Sequence, residues 1–250
     1  MIKTALCALS MLFSLHVFGT EQEVTFAIGE WAPFTGQSIP DYGAASEVVT
    51  AAAKAGGLKP VYVFVPWKRA EDNVVSGKVF ATFPYRKTPE REEKYNFSDA
   101  IFTSATGILR YTGNTKTKIK YRAIDDLRPF VVGCTAGSGA TTNPLNAAKV
   151  NIEETTTFDT TLMKLESSRI DFAIEDKVVA FDAVKRIFPN KINDFEFLDK
   201  DFTSANTMHM LVSKRYSGSD EALKKFNIGL KKIKDDGTMK KIFAKYGLTL

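Results

Sequence analysis

Three short apolar runs separated by two segments of helical spacing constrain this chain more than any other feature of its sequence. Residues 24–29 (VTFAIG), 61–65 (VYVFV) and the run that opens at Val79 read as strands. Between the first two, Ala44, Val48, Ala52 and Ala55 recur on one face of a helix predicted over 43–55, which Gly56-Gly57 ends. Trp67, Ala70, Val74 and Val75 repeat the pattern from Pro66 up to Gly77. Strand, helix, strand, helix, strand is the order of a parallel α/β unit, because parallel neighbours need a crossover long enough to hold a helix. Open sheets of this kind bind ligands beyond the carboxyl ends of their strands. The loop leaving the first run, Glu30-Trp31-Ala32-Pro33-Phe34-Thr35-Gly36, sits at such an end. Phe34 is expected in the core beneath it.

The third run breaks at Pro84 and restarts as a helix at Thr88-Pro89-Glu90-Arg91. A threonine hydroxyl can accept a hydrogen bond from an unpaired N–H at a helix start, and proline suits the first helical position because it has no N–H to satisfy. Arg91 then stands in the first turn, where unpaired donors favour an anion. After residue 111 the chain turns polar and rich in Lys and Thr through Lys120. A second α/β segment follows, with strands at 130–134, 152–155 and 170–176, and helices at 143–149, 158–167 and 178–188. Ala136-Gly137-Ser138-Gly139-Ala140 forms a Gly-rich, hydroxyl-bearing turn, which can be a plain structural turn or one where backbone and Ser138 donors meet a ligand. It lacks the lysine and spacing of a nucleotide P-loop. Strands at 195–198 and 207–212 and an amphipathic pair of helices over 220–245 close the chain.

With 250 residues, the chain is long enough for two lobes with separate cores. The net charge of +5 is spread along the sequence rather than gathered on one face, which excludes nucleic-acid binding as the main activity. Lys3, the apolar stretch 5–18 and the Val17-Phe18-Gly19 pattern read as a secretory signal peptide over 1–20, too short to span a bilayer. Cys7 leaves with it. Cys134 is then the one remaining cysteine, so no internal disulfide is expected and a buried thiol is the simpler reading.

Three separated motifs resemble the bacterial extracellular solute-binding protein family 3, periplasmic receptors that deliver amino acids and similar polar solutes to ABC importers. They are Gly77-Lys78 before a strand, with Thr-Pro-Glu-Arg-Glu and Phe97-Ser98-Asp99 after it; Ile170-Asp171-x-Ala173-x-x-Asp176; and Asp236-Gly237-Thr238 between two helices ending at Tyr246-Gly247. The resemblance implies an α/β fold of the type II periplasmic binding protein class, each lobe a mixed, mainly parallel sheet flanked by helices, with two hinge crossings. Lobe 1 is expected over 21–111 and 206–250, and lobe 2 over 112–205. It further implies a carboxylate held by Arg91, an α-ammonium paired with Asp176, and aromatic walls at Trp31 and Trp67, with Ser138 completing the contacts. Asp176 can instead cap a helix, and Trp67 can instead be core. Two departures stand out. Glu30 lies in a shortened loop where the family carries an aspartate, and Phe83-Pro84-Tyr85-Arg86 replaces small hydroxyl residues. If Arg86 faces the cleft, a more acidic ligand is expected; otherwise it is a surface arginine.

The implied function is a periplasmic receptor and not an enzyme. No cofactor or metal is expected. Its partners would be a small carboxylate ligand and an inner-membrane ABC permease, with the receptor itself monomeric. A ligand sensor for a membrane signalling protein, or a dehydratase-like enzyme on the same scaffold, are the alternatives.

Overall fold

The computed structural model describes residues 22–248, so the predicted signal peptide and Cys7 lie outside the described residues. The first strand, β1 (Gln22–Ile28), pairs in parallel with β2 (Leu58–Phe64), in register from Gln22 opposite Leu58 to Ile28 opposite Phe64. Helix α1 (Ala44–Ala55) connects them, and α2 (Trp67–Val75) leads to β3 (Ala81–Tyr85), parallel to β1 on its other side. The parallel unit expected from the alternation is present. β2 starts three residues before the predicted run, and its Pro60 is tolerated because the strand lies at the sheet edge.

A short helix, α3 (Pro89–Lys94), and β4 (Tyr95–Phe97) lead into the long β5 (Phe102–Tyr111). The second half of the fold follows with β6 (Val131–Thr135), α4 (Gly139–Ala147), β7 (Asn151–Thr155), α5 (Phe158–Glu166), β8 (Phe172–Asp176), α6 (Lys177–Ile187) and β9 (Phe195–Phe197). β10 (Thr203–Ser213) returns to the first half, and α7 (Ser219–Asp235) and α8 (Thr238–Lys245) pack there. The strands join in the order β2-β1-β3-β10-β5-β8-β6-β7, with β4 on β10 and β9 on β5.

Two lobes arise because the apolar residues gather on separate parts of this sheet. In the first, Phe26, Ile28, Phe80 and Phe83 pack under the alanine-rich face of α1 and against Phe226, Leu230 and Ile233 of α7. Helices α1 and α7 approach so closely that a Cβ at Gly229 would overlap the Ala52 carbonyl oxygen, which is why glycine stands there. In the second, one face of the sheet buries Ile108, Val132, Cys134, Leu145 and Phe172, and the other buries Leu162, Leu165, Ile170, Ala173 and Val184. Cys134 is completely buried, and burial pushes its thiol up to about 12, so it stays a protonated packing group.

The crossings between lobes run within strands. β5 pairs with β10 over its first residues, Phe102 to Thr106, and with β8 from Thr106 to Leu109. Residues 106–111 therefore already belong to the second sheet, ahead of the change in composition at Thr112. Similarly, β10 starts at Thr203, four residues ahead of the strand expected over 207–212. Backbone pairing stabilises these segments despite their polar side chains, because strand formation here rests on the neighbours and not on local pattern. Helix α4 starts at Gly139, four residues before the predicted Asn143, and Ser138 is its N-cap residue.

Candidate functional site

The site is built where β1, β3, β8 and the crossing strands end together between the lobes. Pro84 has a decisive local effect. It has no N–H to give the ladder, and between Thr82 and Tyr85 the pairing of β3 with β10 shifts by one residue, a bulge that re-aims the strand end. Tyr85 turns into the core beneath the site, and Arg86, the next residue, lines a cavity.

Arg86 donates from Nη2 to the Thr106 hydroxyl at 2.7 Å, which ties the first lobe to the crossing strand β5. Burial lowers the pKa of its guanidinium, while Asp176 and Glu175 nearby work to raise it. The group keeps its charge, since an arginine is not deprotonated in proteins. Opposite it, Glu175 and Asp176 end β8. Glu175 accepts from the Trp31 indole N–H at 3.1 Å across the cleft and from the Asp176 backbone N–H at 2.8 Å. Crowding by surrounding protein is the largest influence and pushes its carboxyl up to about 7, against those two donors. Asp176 is buried and raised to about 6, again chiefly by burial. Its Oδ1 caps α6 through the N–H groups of Val178 (2.9 Å) and Val179 (3.4 Å), and Oδ2 accepts from the Ser104 hydroxyl.

Both tryptophans lie by Glu30, Trp31 next to it in sequence and Trp67 bonded to its carbonyl. Trp31 tilts on Phe34, which is buried as expected, and stays half-exposed. Trp67 lies flat on the backbone of Gly29, where a Cβ would come within 2.6 Å of the indole. It meets the Tyr85 ring edge-on, and its N–H donates to the Glu30 carbonyl at 3.3 Å. The Glu30 side chain, exposed, accepts from the Gln37 N–H at 3.1 Å and so closes its own loop. Ser138 donates to the Thr135 carbonyl at 2.5 Å, holding the turn before α4.

Arg91 is placed differently from Arg86. Its Nη2 lies 3.5 Å from Glu71 Oε1 of α2, its Nη1 donates to the Arg86 carbonyl at 3.2 Å, and its guanidinium sits 4.6 Å over the Tyr85 ring. The Thr88 cap predicted for its helix is present, accepting from the Arg91 N–H at 3.3 Å.

Of the residues around the cleft, Lys87, Asn206 and Thr207 carried no motif. Arg86, Lys87 and Thr88 from one lobe, Ala140 from the first turn of α4, and Asn206 and Thr207 from β10 line a cavity of about 280 Å³. His209, buried beside it, bonds the Ser98 carbonyl through Nδ1 and Thr207 Oγ1 through Nε2, both at 2.8 Å. A carbonyl only accepts, so Nδ1 carries the proton. Burial lowers the pKa of the ring, which in its neutral form takes the Thr207 proton on Nε2. Glu71 and Ser104 were equally silent in sequence, because their importance comes from partners 20 and 72 residues away. Only the position of Glu175 beside Asp176, at a strand end, signalled the cleft.

Comparison with known proteins agrees with this architecture. Residues 27–249 match the family described as bacterial extracellular solute-binding proteins, family 3. A probable histidine-binding protein of Neisseria gonorrhoeae is 28% identical, covering 87% of this chain and 80% of its own length. The probable amino-acid-binding protein YxeM of Bacillus subtilis (strain 168) is 26% identical, covering 93% and 83%. Among solved structures, an ancestral arginine-binding protein bound to glutamine superposes with a TM-score of 0.72 at 25% identity, over 89% of this chain and 97% of its own. The arginine-, lysine-, histidine-binding protein ArtJ of Geobacillus stearothermophilus, at 22% identity, shares the fold with a TM-score of 0.76, over 92% and 97%.

Proposed function

This chain belongs to the bacterial extracellular solute-binding proteins, family 3, and from that membership we propose that it captures an amino acid or a related small carboxylate between its lobes and hands it to an ABC importer. One observation carries the reading. A guanidinium from lobe 1, two carboxyls from lobe 2 and an indole that bridges the lobes through Glu175 converge on one cleft. Such a cleft offers opposite charges to the two ends of a zwitterion and an apolar wall to its side chain. Lobe 1 comprises the segments before and after the crossings, lobe 2 the segment between them, and the crossings bend to close the cleft.

Trp31, Trp67 and Arg86 are the ligand-facing groups of lobe 1, and Glu175, Asp176 and the Ser138 turn those of lobe 2, while Glu30 shapes the loop behind Trp31. The closed form is what a permease would read. Among the described residues no helix is long and apolar enough to cross a membrane, and an exported, periplasmic location follows from the family and the predicted signal peptide.

The test is a thermal-shift screen of the refolded mature chain against the amino acids, dicarboxylates and polyamines, refolded so that any co-purified ligand is gone. A ligand at about 100 times its dissociation constant adds roughly 2.7 kcal/mol of stability. A shift with an amino acid or a carboxylate is the expected result; a shift with polyamines alone, or with nothing, would overturn the reading. Recovery of the bound compound unchanged after release separates a receptor from an enzyme that uses the Glu175 carboxyl as a general acid.

A further inference from the structure

The two arginines of the β3–α3 turn have divided their work, and the division bears on which solute the receptor takes. Arg91 is neutralised by Glu71, holds the Arg86 carbonyl and rests on the Tyr85 ring. Arg86 spends a single N–H on Thr106 and makes no other side-chain hydrogen bond among the described residues. It lines a cavity together with Lys87 and keeps N–H donors that no side chain of the described residues occupies. No carboxylate of the described residues lines that cavity. The Lys87 ammonium lies 5.4 Å over the Phe97 ring, which leaves its charge uncompensated by any ion pair among those residues.

The β10 wall of the same cavity is of the opposite character. Asn206 uses its amide N–H on the Ser204 carbonyl at 3.0 Å, so its carbonyl oxygen remains to accept. Thr207 gives its hydroxyl proton to His209, so its oxygen also remains to accept. The cavity thus presents two cations on one wall and two acceptor oxygens on the other.

We propose, resting on the receptor reading above, that this cavity selects an acidic amino acid. Arg86 and Lys87 take its two carboxylates, and Asn206 and Thr207 add acceptor oxygens for the ammonium group that the Glu175 and Asp176 carboxyls attract. Arg91 is a positioning residue, which fixes the turn so that Arg86 points inward. A neutral amino acid of the same shape leaves one cation of the pair without a partner, and a dicarboxylate without nitrogen leaves the acceptor wall unused. The family's carboxylate arginine and the ligand-reading arginine are then different residues in this chain.

Calorimetry on the refolded chain with L-glutamate, L-glutamine and glutarate tests this, since the three share a five-carbon skeleton and differ in the groups at issue. Losing one charge-assisted contact corresponds to about tenfold or more in affinity. L-Glutamate is expected to bind at least about tenfold tighter than either analogue. In Arg86→Gln the glutamate-to-glutamine ratio should fall towards one. Lys87→Gln, at an exposed position that tolerates change, should lower the same ratio. Equal binding of L-glutamate and L-glutamine by the wild-type chain would overturn the proposal and leave the receptor reading standing. So would an Arg86→Gln chain that weakens both ligands equally, as a purely structural arginine would. Glutarate binding as tightly as L-glutamate would overturn the assignment of the ammonium wall. Absence of binding by any amino acid or carboxylate would overturn both readings together.

Discussion

Arg86 and Arg91 stand five positions apart on one turn and yet meet opposite surroundings. Arg91 and Glu71 are mostly sheltered from water, and an ion pair in that setting is strengthened by its hydrogen bond to the Arg86 carbonyl. Arg91→Ala is therefore expected to cost about 1–3 kcal/mol in urea unfolding, as the loss of hydrogen bonds to a charged group does. The Glu71→Ala, Arg91→Ala double variant should cost less than the two single losses summed, because each single change strands a charge. An additive cycle would show that the pair does not couple. The sequence shows an arginine in a capped first turn, and that local fact is correct. The direction of its side chain was not legible, because Glu71 comes from another helix and the bulge that aims Arg86 forms only when β3 meets β10, more than 120 residues further on.

Among the elements, α1 and the strands around it were readable because each carries its own pattern: alanines at helical spacing, a glycine pair at the end, alternating apolar runs. The close seat of α7 on α1 was less so, since the reason for it is the absence of a side chain at Gly229. Replacing Gly229 with valine forces the helices apart, and overpacking of this kind costs about 1–3 kcal/mol. The melting temperature of Gly229→Val should fall by several degrees, while Gly237→Ala, at a helix N-cap where a Cβ would meet nothing within 4 Å, loses less and only through its left-handed backbone. Equal losses at the two sites would mean that helix contact is not what fixes Gly229. The elements that pattern misplaced were β10 and the start of α4. Polar residues at 203–207 become strand only because β5 lies beside them, and the Gly-rich turn is shorter than its composition implies because the helix begins within it.

For the whole molecule, the Trp31–Glu175 hydrogen bond places a buried, titrating carboxyl in a contact between residues 144 positions apart. Glu175 is pushed up to about 7 and Asp176 to about 6 from ordinary carboxylate values near 4.5 and 3.8, so the folded chain binds more protons than the unfolded one between those limits. Stability from these groups is then fully present in acid and is lost as pH rises through about 7. His209, its pKa lowered by burial, acts with the opposite sign, because the folded chain holds it neutral. The diagnostic is consequently a difference. Relative to the wild type, Glu175→Gln should lose the part of the melting-temperature slope between pH 5 and 8 that falls with rising pH, and identical slopes would exclude Glu175 as its source. The register of the crossing strands has a further consequence for how such a molecule moves. Between Thr203 and Asn206, β10 carries one residue more than the facing stretch of β5. Two strands held edge to edge cannot slide without breaking every rung of their ladder, but they can flex out of plane where a rung is missing. The pair resembles a leaf spring with its thin point at 204–205, stiff to shear and soft to bending, and Asn206, the proposed solute contact, stands beside that fold line.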